Sequence, residues 1–429
     1  MRLPSLSGFL YSMFNRTVLP NGIRIITEAL SHSKVVSVGV WLDVGSRDEN
    51  DLNRGAAHFV EHMLFKGTGK RSAQDIAREF DVLGGSANAF TTRENTCLHA
   101  TVMESKLPIL VELFTDLLTN SVFTEEEIER ERQVILQEIH MVEDTPDDQI
   151  HDLFAALLWG QHSLGKTILG SQEIVEAMNS GKLQEFVRNY YTPDKIVIAA
   201  AGNVEHDDFV NLWHKTFDRF GQAGESTPGR HKPAELPPGR KIYAKPLEQV
   251  HILLGTYGLS ISDEDRFAYL LLNVLLGGNM SSRLFQEIRE KRGLAYSIYS
   301  YIAPYCDSGY LAVYLGVDRK SVNESLELIS KEIRMLQKTP VEEKELTNAK
   351  DYIKSGLFLS MESMEAIMTR IARNELYFNK YIPLAELIDS IERVAGNDIL
   401  RIGSRIFGRQ ELTLAGLGPL EKTGIDWKA

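Results

Sequence analysis

The stretch Gly55-Ala56-Ala57-His58-Phe59-Val60-Glu61-His62-Met63-Leu64-Phe65-Lys66-Gly67-Thr68 (55–68) governs how the rest of this chain is read. In a helix, His58 and His62 lie one turn apart on one face, and Glu61 projects to the same side. Two imidazoles at that spacing suit a single zinc ion, with bonds of about 2.0–2.1 Å each. Glu61 is then placed to hold or deprotonate a water beside the ion. A pentad of this kind needs structural context, and the context lies downstream.

A catalytic zinc has three protein ligands and one open position, so a third ligand is expected. The stretch 124–142 reads as a helix, with Thr124 and Glu127 as a capping box and Pro146 after its end. At 100° per residue, Ile128, Ile135, Ile139 and Val142 define an apolar face, with Val134 and Met141 at one margin. Glu131 and Glu138 fall inside that arc, whereas Glu126, Glu129 and Glu143 lie on or towards the opposite face. Two carboxylates turned toward a core are costly unless a cation compensates them. Glu138 is therefore expected as the third ligand. Glu131, two turns earlier, is expected as its partner behind the ligands.

Residues 55–68 resemble the zinc helix of the pitrilysin/insulinase family, the inverzincins, which includes the β-subunit of the mitochondrial processing peptidase. Glu138 stands 76 residues after His62 and Glu131 seven before Glu138, and these match the family's third ligand and its second essential glutamate. The resemblance runs from about residue 14 to 420. It implies a zinc metalloendopeptidase with one zinc per chain. It also implies an α+β architecture of two similar domains, each a largely antiparallel sheet covered by helices, together forming half of a clam-shell chamber.

Composition and internal repetition agree with this outline. At 429 residues the chain exceeds one ordinary core and predicts two domains. No apolar run approaches the ~20 residues of a membrane span. The net charge of −12 argues against a nucleic-acid partner and suits basic peptides if it lines a chamber. Cys97 and Cys306 cannot form a disulfide framework and lack zinc-ligand spacing, which fits a reducing compartment. Residues 1–12 suit neither a secretory signal nor an Arg-rich transit peptide. The stretch from Met13 reads like the start of a bacterial family member, so residues 1–12 are expected to be a disordered extension or to precede the true start. The expected location is the bacterial cytoplasm rather than the mitochondrial matrix.

The Gly/Pro-rich segment 220–240 reads as a linker. The expected division is an extension at 1–13, a zinc-binding peptidase domain at 14–222, a linker at 223–240 and an inactive duplicated domain at 241–429. On either side of the linker a strand (35–42; 250–257) precedes a helix. Each half closes on a strand and glycine turn, near 196 and near 412, an offset of about 216 residues that suits a duplicated domain. Strands 96–103 and 310–317 each lead into a helix. The second half lacks the His-x-x-Glu-His pattern.

The Gly84-Gly85 turn and the strand after it suit an extended peptide added by β-augmentation. The resemblance implies that Asn88 and Ala89 line this substrate strand. It also implies that Arg289 and Tyr296 contact substrate near the zinc, where a tyrosine hydroxyl can stabilise an oxyanion. Family members of double length place these two sets of residues in opposite halves, so this chain is expected to form a homodimer with sites completed in trans. A different expectation is a catalytically silent structural or peptide-binding subunit. His99 and His162 are expected to be structural.

Overall fold

The computed structural model describes residues 13–217, 229–408, 411–420 and 425. The expectations for residues 1–12 and for the first part of the linker lie outside the described residues. Among them, no helix is long and apolar enough to cross a membrane.

Two sheets carry the fold. The first contains β1 (Met13–Val18), β2 (Arg24–Ala29), β3 (Val35–Leu42), β4 (Ser86–Thr91), β5 (Thr96–Met103) and β6 (Ile196–Gly202), in the order β1-β2-β6-β3-β5-β4. The second contains β7 (Arg240–Ala244), β8 (Val250–Tyr257), β9 (Ala295–Pro304), β10 (Gly309–Val317) and β11 (Thr413–Gly418), in the order β7-β11-β8-β10-β9. From β2 onward the first order maps onto the second strand by strand. Each sheet has one parallel pair, β2 with β6 and β7 with β11, and the remaining pairs are antiparallel. The architecture is α+β with a duplicated topology.

The central strands β3 and β6 are buried almost throughout. Their near-continuous apolar sequence is what a strand covered on both faces requires. The helices before and between the closing strands include α1 (Ala56–Leu64), α2 (Ala73–Leu83), α3 (Leu107–Asn120), α4 (Glu125–Asp144) and α5 (Pro146–Trp159).

The two compact units are not the contiguous halves expected from the linker. One comprises the described residues through Gln137 with Ile168–Arg230 and Phe358–Ile382; the other comprises Glu138–Thr167, His231–Leu357 and the described residues from Pro383. The reason is packing. Helix Met364–Phe378 lays Met364, Ile367, Met368 and Ile371 against Ile26, Trp41, Val197 and Ala199 of the first sheet. Helix α5 lays Ile150, Phe154, Leu158 and Trp159 against Leu253, Ala312, Ala415 and Leu417 of the second. Each sheet is thus closed by one helix drawn from the other half of the sequence. The opposite face of the second sheet packs on Arg266–Leu276, Val322–Lys338 and Gly396–Phe407.

Gly55 opens α1 at φ +86°, a region that favours glycine. A Cβ there would lie 2.6 Å from the Leu169 carbonyl oxygen. Gly55→Ala is therefore expected to destabilise the protein by about 1–3 kcal/mol, seen as a lower thermal midpoint. An unchanged midpoint would mean that the 168–170 turn yields freely.

Candidate metal centre

Helix α1 is anchored before it begins. The buried Glu49 carboxylate accepts hydrogen bonds from the backbone N–H groups of Gly55 and Ala57, each at 2.8 Å. These satisfy donors that a helix start leaves without intrahelical partners. Burial pushes the Glu49 carboxyl up to about 8, against the pull of those two bonds. The helix buries Ala56, Ala57, Phe59, Val60, Met63 and Leu64. His58, Glu61 and His62 consequently share the opposite, half-buried face.

The two imidazoles converge there, with Nε2 of His58 3.2 Å from Nε2 of His62. Burial, then the neighbouring His62, pushes the His58 imidazole down to about 4, so it is neutral at pH 7. The Nδ1 of His62 lies 3.0 Å from Oε2 of Glu131, and Lys66 Nζ lies 2.6 Å from the other oxygen, Oε1. Burial raises the Glu131 carboxyl, but the His62 and Lys66 interactions outweigh it and hold it below its ordinary value.

Glu131 reaches this point because α4 buries Ile128 and Ile135 beside it, while Val134 and Met141 are exposed. Arg132 fixes the helix by donating to the carbonyls of Val175, Glu176 and Met178 at 2.5, 2.9 and 3.0 Å. Thr124 Oγ1 accepts from the Glu127 N–H at 3.4 Å. The Glu127 carboxylate is taken by Arg130 rather than returning to Thr124, so the capping box is half made.

Glu138 follows Glu131 by two turns on the same uninterrupted helix. Ligand atoms of His58, His62 and Glu138 lie within 4.8 Å of one another, the one such group of three among the described residues. The donor set fits zinc. Two imidazole nitrogens bound at 2.0–2.1 Å to a tetrahedral ion are about 3.3 Å apart, close to the 3.2 Å found here. A Nδ1–H given to Glu131 leaves the Nε2 lone pair of His62 for the metal.

Glu61 accepts a hydrogen bond from Thr91 Oγ1, the last residue of β4. Among the described residues that strand is the edge of its sheet and pairs only with β5. Asn88 is exposed on it, and its Oδ1 accepts from the Ala89 N–H at 2.9 Å. Asn88 and Ala89 thus share a strand with the partner of Glu61.

Arg289 and Tyr296 belong to the second unit, where they meet one another. Arg289 lies on a π-helical turn, Phe285–Glu290, with its guanidinium 4.8 Å from the ring centres of both Phe285 and Tyr296. Tyr296 is 78% exposed because β9 bulges there: Ala295 pairs with Val317 and Ser297 with Gly316, leaving Tyr296 unmatched. Bulges re-aim single side chains in this way.

Three residues of the first cluster escaped the sequence reading. Lys66 carried a usable signal, standing four residues after His62. Glu49 and Thr91 carried none, since they reach α1 through a loop and across the sheet. His99 contacts Glu365 at 3.4 Å and packs on Phe90. His162 accepts from the Leu164 N–H through Nδ1 and meets the His231 carbonyl through Nε2.

Known proteins resemble this chain in sequence and in fold. The family model described as Insulinase (Peptidase family M16) matches residues 24–172, and the model described as Peptidase M16 inactive domain matches 177–353. A protein of Streptomyces coelicolor described as an uncharacterized zinc protease is 39% identical over 412 residues, 95% of this chain and 90% of its own. A second, from Bacillus subtilis, is 39% identical over 407 residues, 95% of this chain and 98% of its own. A protease from Helicobacter pylori has the same fold, with a TM-score of 0.90 at 23% identity over 95% of this chain and 100% of that one. By sequence similarity along nearly its whole length, the chain belongs to the insulinase family of peptidases, M16.

Proposed function

We propose that this protein is a zinc-dependent endopeptidase that hydrolyses unfolded or leader-like peptides. The observation that carries the reading is the convergence of His58, His62 and Glu138 beside Glu61. In it, His58, His62 and Glu138 hold one zinc ion, and Glu131 orients His62 through its Nδ1. Zinc at such a site supplies Lewis acidity, polarising a carbonyl and lowering the pKa of a nearby water.

The remaining chemistry belongs to the protein. Glu61, steadied by the Thr91 hydroxyl, takes a proton from the attacking water and delivers it to the departing amine. The outer edge of β4 pairs with an extended substrate at Asn88 and Ala89, so backbone hydrogen bonds give affinity without a strict sequence requirement. Arg289 holds a substrate carbonyl or carboxylate, and the Tyr296 hydroxyl donates to the developing oxyanion.

In our reading the active form is a homodimer that encloses a chamber, with Arg289 and Tyr296 of one copy completing the zinc site of the other. The acidic composition favours basic peptides. Degradation of short unfolded peptides fits this sequence-tolerant strand edge better than a single processing cut.

Three outcomes test these statements. Glu61→Gln should retain one zinc per chain but lose about 10²–10⁴-fold in kcat on a quenched peptide, whereas His62→Ala should lose both metal and activity. Turnover undiminished in zinc-loaded Glu61→Gln removes the assigned base. Mixing Glu61→Gln with Tyr296→Phe chains should restore part of the activity that each lacks; a verified mixed dimer that stays inactive rules out completion in trans. A long basic peptide should yield many products by mass spectrometry, and a single cut would favour processing instead.

A further inference from the structure

We infer that Lys66 is a positioning residue of the metal centre, reserving the Glu131 carboxylate for His62. The inference rests on the zinc reading above and deepens it. Glu131 has two oxygens and two partners: Oε2 meets His62 Nδ1 at 3.0 Å and Oε1 meets Lys66 Nζ at 2.6 Å. Its side chain is 7% exposed, so little water competes for either oxygen. On α4 it stands two turns before Glu138, on the same side. An ionised carboxylate in that position is itself an oxygen donor suited to zinc. An ammonium on Oε1 gives the carboxylate a fixed counter-charge and a direction, and leaves Oε2 for the imidazole N–H.

The backbone around Lys66 is built to hold it there. Phe65 and Lys66 continue the last turn of α1, with their N–H groups donating to the carbonyls of His62 at 3.2 Å and Met63 at 3.1 Å. Gly67 then leaves the helix at φ +137°, and its carbonyl accepts from the Val122 N–H at 3.2 Å. Lys66 is therefore pinned on both sides, one turn beyond His62. Its side chain is 31% exposed, less than a freely solvated lysine would be. A cation at a helix C-terminus is favourable in its own right, which is the purely structural role that a test must separate.

The experiment compares zinc affinity, by chelator competition, in the full-length parent chain and in Lys66→Met, Lys66→Gln and Lys66→Arg. Thermal midpoints of the metal-free proteins are read alongside. Removing a partner behind a metal ligand weakens binding by about 10–100-fold, and that loss is expected for Lys66→Met and Lys66→Gln. Lys66→Arg keeps the charge and should stay within about threefold of the parent. If Lys66→Met fails to fold, Lys66→Gln carries the comparison. A Lys66→Met or Lys66→Gln chain that binds zinc as tightly as the parent overturns the inference, whatever happens to its midpoint. Rescue failing in Lys66→Arg, with an unchanged midpoint, overturns the role of charge. A parent chain that binds no zinc overturns the metal centre itself, and this inference with it.

Discussion

Two ring nitrogens held 3.2 Å apart on one helix face are the constraint around which the first unit is arranged. Such a pair is tolerable only if one nitrogen donates to the other or both address a cation. Glu131 sets the part His62 plays in either arrangement, because a Nδ1–H given to its carboxylate leaves Nε2 with a free lone pair to accept or to bind a cation. The helix must then neither slide nor rotate. Glu49 holds its start through two backbone N–H groups, and the Gly67 turn and its bond to Val122 hold its end. Buried Phe59, Val60 and Met63 set its rotation.

Glu61, the base of the proposed mechanism, is held by a different device. Glu61 lies on α1, but the hydroxyl that meets it comes from Thr91 at the end of the edge strand β4. The helix therefore carries the imidazole pair, and the edge strand carries the contact to Glu61. A peptide adding to that edge pairs with the strand whose last residue touches Glu61. In the proposed mechanism, binding and chemistry are thus adjacent along one strand, without a loop between them.

The duplicated topology carries different side chains in its two copies. Both sheets share the same order from β2 and β7 onward, yet only the first has a histidine pair on the helix following its central strand. In the second, helix Arg266–Leu276 is apolar and mostly buried, consistent with a packing role. The second unit has a bulge that exposes Tyr296 and a π-helical turn bearing Arg289. Both are irregularities in regular elements, and such departures are frequent at functional positions.

Local periodicity determined much of this protein from sequence alone. Spacings of three, four and seven residues placed His58, Glu61 and His62 on one helix face and Glu131 and Glu138 on another, because helical geometry acts within a few turns. Strand repeats likewise revealed the duplicated order, since β3, β5 and β6 reappear as β8, β10 and β11. Tertiary structure alone decided which sheet each helix closes. Met364–Phe378 and α5 carry apolar faces that announce burial but not the sheet they cover, and each packs on strands from the other half of the sequence. It also decided the roles of Glu49, Lys66 and Thr91. A capping carboxylate, a counter-ion and a hydroxyl act through distances of 2.5–3 Å, and those distances exist only once remote segments have packed.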